Sequence, residues 1–309
     1  MTEPKRRKKP LSPVRPPYRW LVWTLVLPLA GLLMVLLYSR YVSNKPATRR
    51  EIVAKKESSG APQNDSKSEA NRPTQNTAVK GRVPPKGDGS DRRIALILDD
   101  AGFQEAPVRE LAEMRIPLSF AILPNAPNAR RIAELVNDRG FEVLCHLPLE
   151  PMGTAVSPGA GAITTAMGDA EILELATRSI RSIPHAVGVN NHMGSRATAD
   201  RRTMRQVLTA VRQTGTYFVD SRTTASSVGE AMAHELSVRT ASRDVFLDDD
   251  DSIESVRRQL RLLVTLAEKR GSAIGIGHLY PSTIRVLREE LPAIRKRGFE
   301  FVLASELVK

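Results

Sequence analysis

Apolar runs and amphipathic segments alternate along residues 92–309, and this alternation predicts strands and helices in turn. Short stretches of Val, Ile and Leu, such as residues 94–98, are typical of parallel strands that are covered on both faces. Longer segments with apolar residues every three or four positions, such as residues 253–270, are typical of helices that cover a sheet. The pattern therefore predicts repeated strand-helix units and a parallel sheet.

The spacing of these patterns defines the individual elements. The predicted strands cover residues 94–98, 118–123, 141–147, 187–191, 217–220, 245–247, 273–277 and 299–303. The predicted helices cover residues 106–114, 128–139, 169–182, 200–214, 229–235, 253–270 and 283–297. Seven or eight such units in about 220 residues favour a closed or nearly closed parallel barrel over an open doubly wound sheet. No Gly-x-Gly-x-x-Gly follows the first strand, which argues against dinucleotide binding.

The scarce polar residues of the predicted strands fall at their carboxyl ends. The residues in this set are Asp99, Asp100, His146, His192, Asp220, Asp248–Asp251 and His278. Barrel enzymes place catalytic groups at this rim, so we expect the set to converge, with Asp220 among the catalytic residues. Two alternatives stay open: the pair Asp99-Asp100 also suits a helix cap, and the run Asp248–Asp251 also suits a solvated loop.

Residues 20–39 contain no charge and, as a helix about 30 Å long, match the hydrocarbon core of a bilayer. Trp20 and Trp23 lie near one end and Tyr38 near the other, as interfacial aromatic residues do. The run is longer than the apolar core of a cleaved signal peptide. We therefore predict an uncleaved single-pass anchor in the inner membrane, with residues 1–19 in the cytoplasm and the remainder in the periplasm.

Residues 40–91 are rich in Ser, Asn, Lys, Pro and Thr, which predicts a disordered linker before a domain at residues 92–309. Residues 1–91 also hold +11 of the formal net charge of +12. Because the domain is nearly neutral, we expect no nucleic-acid partner for it. Cys145 is the one cysteine of the chain, so the fold contains no intrachain disulfide.

One aspartate with two histidines is a donor set for a divalent metal ion, most often Zn²⁺, that leaves positions open for water and substrate. Asp100, His146 and His192 can supply this set. One aspartate of the adjacent pair then stays free as a general base, and His278 is the natural general acid for a leaving group. This combination of groups is suited to hydrolysis.

Five strings combine these polar residues with the strand ends: LDD at 98–100, FEVLCHLPLEP at 141–151, GVNNHMGS at 188–195, FVDSR at 218–222 and GIGH at 275–278. They resemble those of the polysaccharide deacetylases of the NodB-homology, or carbohydrate esterase 4-like, superfamily, and more closely their divergent branch. The resemblance covers nearly all of residues 92–309. It implies a distorted parallel (β/α)7-8 barrel of the glycoside hydrolase/deacetylase type, a metal-dependent N-deacetylase ancestry, Asp99 as base, Asp100 as ligand and His278 as acid.

Two positions depart from the main family's pattern. Glu150 replaces the second histidine of a His-x-x-x-His motif, so either His192 or Glu150 completes the metal site. An arginine that orients the base is also missing from the loop at residues 190–194. Asn190, Asn191 and Ser221 are candidates for binding sugar hydroxyls, for holding Asp99 or for forming turns.

The leading hypothesis is a membrane-anchored, extracytoplasmic, metal-dependent hydrolase that removes acetyl groups from an N-acetylated glycan such as peptidoglycan. A second hypothesis is a catalytically inactive glycan-binding or envelope-scaffolding protein on the same barrel. A third is a glycosidase that pairs Asp99 or Asp100 with Asp220 or Glu150. The third hypothesis leaves the histidines unexplained.

Overall fold

A single parallel sheet organises residues 92–153 and 157–309, which are the residues described by the computed structural model. Its strands are β1 (Arg93–Ala101), β2 (Ser119–Ile122), β3 (Glu142–Leu149), β4 (Ala186–Met193), β5 (Tyr217–Asp220), β6 (Thr240–Ser242), β7 (Val245–Phe246), β8 (Ser272–His278) and β9 (Glu300–Val302). The α-helices of these residues are α1 (Ala106–Ala112), α2 (Ala129–Asp138), α3 (Asp169–Ser182), α4 (Arg201–Thr214), α5 (Gly229–Glu235), α6 (Ile253–Arg270) and α7 (Pro281–Lys296). Every predicted element is present within three residues of its expected ends, the largest difference being the end of β1 at Ala101, whereas β6 was not predicted.

The strands lie in the order β6-β5-β4-β3-β2-β1-β8-β7, and each pairing is parallel. The sheet curls into an open half-barrel, in which Arg243 and Asp244 link the edge strands β6 and β7. The Arg243 N–H donates to the Asp220 carbonyl on β5 at 3.0 Å, and the Asp244 N–H donates to the Ile274 carbonyl on β8 at 2.9 Å. The expected barrel is thus observed as an open curl, because the edge strands β6 and β7 do not pair with each other, and β9 pairs with the start of β1.

Two apolar clusters pack on opposite faces of the sheet. The outer cluster joins strand residues such as Leu96 and Leu98 to the buried faces of the helices. The inner cluster contains the alternate strand residues Ala95 and Ile97 together with Ile276, and no residue of an α-helix. Successive side chains of a strand point to opposite faces, so this arrangement identifies the residues that face the interior of the curl.

Residues 304–309 close one end of the curl. This end lies opposite the carboxyl ends of the strands, where the polar residues lie. The Ala304 N–H donates to Ser119 Oγ at 3.0 Å, and Ser119 Oγ donates to Glu142 Oε2 at 2.6 Å. Lys309 exchanges two backbone hydrogen bonds with Thr240, at 2.9 and 3.1 Å. The open face of the curl is therefore the rim at the carboxyl ends of the strands.

Within residues 92–153 and 157–309, no helix combines the length and the apolar composition that a membrane span needs. The predicted anchor at residues 20–39 and the predicted linker at residues 40–91 lie outside these residues.

Candidate active site and metal centre

The carboxyl end of β1 brings two adjacent carboxylates to the same rim. Strict strand alternation would turn Asp99 and Asp100 to opposite faces. Instead, the pairing of β1 with β2 shifts register between Leu98 and Ala101, and Asp100 adopts a left-handed backbone with φ of +57°. As a result both carboxylates approach His146, whose Nε2 lies 3.6 Å from Asp99 Oδ2 and 3.3 Å from Asp100 Oδ1.

Three donor atoms from the strands β1, β3 and β4 form a compact triangle at this rim. Asp100 Oδ1 lies 3.1 Å from His192 Nδ1 and 3.3 Å from His146 Nε2, and the two ring nitrogens are 3.2 Å apart. Asp100 ends β1, while His146 on β3 and His192 on β4 follow the interior-facing alternation of their strands. The structure thus brings together the three residues that the sequence nominates as metal ligands.

The donor triangle matches the dimensions of a divalent metal site. Donor atoms about 2.1 Å from a tetrahedral zinc ion lie about 3.4 Å from one another, close to the observed separations. Asp100 Oδ1 is also buried without a hydrogen-bond partner of suitable geometry, and such an orphaned oxygen requires an explanation. Burial alone would raise the pKa of Asp100, but the two adjacent imidazoles hold it well below its ordinary value. The donor set therefore fits a cation that binds a carboxylate and two neutral imidazoles.

Asn190 connects a metal-donor candidate to the neighbouring carboxylate. Its Oδ1 accepts from His146 Nδ1 at 2.9 Å, and its Nδ2 donates to Asp99 Oδ1 at 2.8 Å. Because an amide oxygen only accepts, the first contact places the His146 proton on Nδ1 and leaves Nε2 free to bind a cation. The second contact fixes the Asp99 carboxylate. In the family pattern that the sequence resembles, an arginine orients this carboxylate, whereas here the Asn190 amide contacts it.

Asp99 is nearly inaccessible, with 4% of its surface exposed, and burial raises the pKa of its carboxyl group. Arg243 and Arg222 line the cavity that contains Asp99, and the sequence analysis did not identify Arg243. Its guanidinium lies 4.8 Å from the ring centroid of Phe246 and donates to the backbone carbonyl of Ser221 at 2.7 Å. In the sequence, Arg243 was marked only by its position between the short strands β6 and β7, and of these only β7 was predicted.

His278 at the end of β8 faces Asp100 from the other side, with Nε2 at 3.7 Å from Oδ2. Asp248 holds the opposite edge of its ring, because His278 Nδ1 lies 3.0 Å from Asp248 Oδ1. The His278 N–H and Thr283 Oγ1 both donate to Asp248 Oδ2, at 2.6 and 2.7 Å. Burial alone would lower the pKa of His278, but the hydrogen bond to Asp248 and the nearby carboxylates raise it. His278 is thus set up as a proton donor.

The four acidic residues 248–251 differ in burial and in their contacts. Asp248 is buried and binds His278, whereas Asp249 and the two acids after it are exposed. A signal was present in the sequence, since Asp248 directly follows the buried Leu247 as Asp99 follows Leu98. The sequence analysis left open whether one of these acids enters the site; the structure places Asp248 against His278, and the exposed Asp249 lines the cavity beside it.

Asp220 lies apart from the donor triangle. Val219 belongs to the inner cluster, so the pleat of β5 turns Asp220 outward. Its Oδ1 accepts from the Arg222 N–H at 2.8 Å, and its Oδ2 accepts from Ser227 Oγ at 2.6 Å. The structure therefore does not bring this predicted catalytic residue to the metal donors, and its contacts order the loop that follows β5.

The remaining candidates line or support the cavity. Glu150 lies outside the triangle, because its Oε2 accepts from the Thr165 N–H and from Thr165 Oγ1, both at 2.7 Å. Asn191 Oδ1 accepts from the Ser221 N–H at 2.9 Å, and Ser221 Oγ lies 3.3 Å from Asn190 Nδ2. One cavity of about 690 Å³ is lined by Asp99, Asp100, His146, His192, Ser221 and His278.

A family model described as divergent polysaccharide deacetylase matches residues 96–308. The chain belongs to this family. The resemblance seen in the sequence strings is confirmed, and the match includes the donor triangle and the His278–Asp248 pair.

Two bacterial proteins are similar to this chain. An uncharacterized protein of Haemophilus influenzae is 36% identical over 199 residues, which are 64% of this chain and 71% of that protein. The uncharacterized protein YibQ of Escherichia coli K12 is 34% identical over 197 residues, which are 64% of this chain and 61% of YibQ.

The fold is also shared with a solved structure. An uncharacterized protein from Agrobacterium tumefaciens C58 superposes with a TM-score of 0.67 at 24% sequence identity, covering 72% of this chain and 92% of that chain. This likeness supports the fold alone, a curled parallel half-barrel sheet.

Proposed function

We propose that this chain is a membrane-anchored, periplasmic, metal-dependent N-deacetylase of an envelope polysaccharide such as peptidoglycan. The observation that carries the proposal is the donor triangle of Asp100, His146 and His192 with a carboxylate and a histidine beside it. A divalent ion held there, with Zn²⁺ as first candidate, would polarise the acetamide carbonyl and acidify a water molecule.

The residues around the triangle have complementary proton-transfer roles in this reaction. Asp99, held by Asn190, takes the proton of the attacking water. His278, held by Asp248, gives a proton to the amide nitrogen as the carbon–nitrogen bond breaks. The products are acetic acid, which ionises to acetate, and a free amino sugar. Asp99 then releases its proton to solvent and His278 takes one up, which restores both residues.

Acetate release from N-acetylglucosamine oligomers and from peptidoglycan tests this proposal. With Zn²⁺ present, we expect Asp99→Asn and His278→Gln each to lower kcat by about 10²- to 10⁴-fold. Both variants should retain bound zinc, whereas Asp100→Ala should lose it. Undiminished activity and metal content in Asp100→Ala would contradict the proposed centre.

A glycan-binding protein without turnover is the second candidate, and one observation favours it. The contact that orients Asp99 comes from the neutral amide of Asn190 instead of a guanidinium, and the carboxyl is nearly inaccessible. Purified protein that binds both zinc and the oligomers but releases no acetate would support this candidate and overturn the enzyme.

The membrane arrangement is supported by the uncharged run at residues 20–39 and the basic residues before it. Alkaline phosphatase fused after residue 91 tests it, because the enzyme is active only outside the cytoplasm. We expect an active fusion in the membrane fraction and an inactive one after deletion of residues 20–39. An active fusion that is released as a soluble protein would show a cleaved signal instead.

A further inference from the structure

A second groove opens from the candidate active site. Its volume is about 870 Å³, and it shares Asp100, His278 and Tyr280 with the cavity described above. Phe103 and Tyr280 line it, although large aromatic side chains are seldom left in solvent: they are 53% and 40% exposed. Exposed apolar side chains that line a concave surface are typical of ligand sites.

The backbone that presents Phe103 is fixed. Asn128 donates from its backbone N–H to the Gly102 carbonyl at 2.9 Å and from Nδ2 to the Phe103 carbonyl at 2.7 Å. Gly102 has a φ of +128°, and a Cβ atom there would lie 2.5 Å from Ala126 Cβ. The loop is therefore packed against the start of α2, and about half of the surface of Phe103 remains exposed.

Tyr280 is also held in place, at the junction between β8 and α7. Its ring stacks on the imidazole of His278, with centroids 5.0 Å apart and an interplanar angle of 25°. Pro281 follows it as the first residue of α7, which restricts the backbone at this position. The exposed face of Tyr280 thus continues from the proton donor into the groove.

The two arginines and two glutamates of α1 and α7 that line the groove pair with one another, and Asp100 is the remaining carboxylate, at the end shared with the candidate active site. Arg288 donates to Glu110 at 2.5 Å between α7 and α1, and Arg285 donates to Glu289 at 2.9 Å along α7. Paired charges at the edge of an apolar groove can bind hydroxyl groups but offer no net charge to an anion. The groove therefore suits a neutral ligand with both apolar and hydroxyl-bearing faces.

We propose that Phe103 and Tyr280 form a sugar subsite that binds the ring next to the acetylated sugar of the same glycan chain. A pyranose ring presents C–H groups on its faces and hydroxyls at its edge, which matches aromatic walls with a polar border. The inference rests on the proposed deacetylase function and extends it: the substrate is an oligomer or polymer, and an isolated N-acetylated monosaccharide binds weakly.

Binding of N-acetylglucosamine and of its pentamer to the full-length, zinc-loaded protein tests the subsite without turnover. Calorimetry uses the Asp99→Asn protein, alone and combined with Phe103→Ala. We expect the pentamer to bind at least about 10-fold more tightly than the monomer, and Phe103→Ala to remove about 10-fold from the pentamer alone. Phe103→Tyr should restore pentamer binding to within about twofold.

Met152→Ala is the matched control, because Met152 is 58% exposed and lies outside the groove. It should leave both affinities unchanged, and thermal melting should show that each variant is folded. Equal affinity for pentamer and monomer, or equal weakening of both by Phe103→Ala, would refute the subsite.

Acetate release by the wild-type protein separates this inference from the proposed function. Phe103-dependent pentamer binding without acetate release would retain the subsite and overturn the deacetylase. If acetate is released and kcat/KM depends neither on the chain length of the substrate nor on the Phe103→Ala substitution, the deacetylase stands and the subsite is refuted.

Discussion

Three residues other than glycine adopt a positive φ around the candidate site: Asp100 at +57°, Met193 at +50° and Arg222 at +52°. Each lies at or just beyond the carboxyl end of a strand and lines the same cavity. Such conformations cost about 1–3 kcal/mol each and persist where the surrounding structure imposes them. At Asp100 the conformation is what allows two successive carboxylates to face one site, and strand alternation could not have predicted it.

Asn190 provides the sharpest prediction for a single residue. Asn190→Ala removes the acceptor for His146 and the donor for Asp99, so we expect zinc affinity to fall about 10- to 100-fold and kcat to fall with it. Asn190→Asp keeps the acceptor and loses the donor, so zinc affinity should survive while kcat falls. Zinc titration and acetate release measure the two effects.

An exposed asparagine of α2, Asn137, provides the matched control, since Asn137→Ala should change neither quantity. Equal zinc affinity in Asn190→Ala and the wild type would show that the amide does not support the metal centre.

Asp248 is the second residue whose removal separates two functions. Asp248→Asn weakens the contact that holds His278 but touches none of the three donor atoms. We expect kcat for acetate release to fall about 10²-fold while bound zinc, measured by elemental analysis, stays the same. Loss of zinc together with activity would place Asp248 in the metal centre instead.

The helices and long strands were predictable from sequence because local signals agree with tertiary packing. For α6, Ser252 Oγ accepts from the Ser255 N–H at 3.3 Å, and Gly271 ends the helix with φ of +85°. The strand β6 was missed because its three residues, Thr240–Ser242, have no hydrophobic pattern. It exists through its pairing with β5, which is a nonlocal contact.

The packing of β4 on β5 gives a prediction at the scale of these elements. A Cβ atom at Gly188 would lie 2.4 Å from Cζ of the Tyr217 ring, which is fully buried. We expect Gly188→Ala to reduce the free energy of unfolding by about 1–3 kcal/mol, as measured by chemical denaturation.

Gly168 is the matched control for this substitution. It precedes α3 in open space with φ of −70°, and serine is a good helix cap, so Gly168→Ser should be neutral or slightly stabilising. A Gly188→Ala protein as stable as the wild type would mean that the Tyr217 ring can move.

For the whole molecule, the sequence could predict that polar residues gather at one rim but not which of them meet. His146, His192 and His278 were assigned to this rim from strand ends alone, and the curl brings them together. Asp220 ends a strand equally well, yet the pleat directs it away from the cavity. Side-chain direction depends on register, and register follows from pairings that no single segment encodes.

Metal binding should stabilise the whole domain, because the triangle joins β1, β3 and β4. Zinc at 100 times its Kd would add about 2.7 kcal/mol, which corresponds to a rise in Tm of about 5–10 °C. Scanning calorimetry with and without a chelator measures this shift. Asp100→Ala should show no zinc-dependent shift, and a shift of normal size in that variant would place the ion elsewhere.

The pairing of β1 with β8 and β9 has a consequence for how the chain acquires its fold. Arg93 pairs with Ser272 and Glu300, so the first strand of the sheet finds two of its partners near the other end of the domain. Closing a loop of that size costs entropy that only completed contacts can offset, which makes such folds slow to form. Until residues 270–309 have been synthesised, the half of β1 that precedes Asp99 and Asp100 has no partner strand. The strand that carries Asp100 to the candidate metal site is therefore not yet held in place.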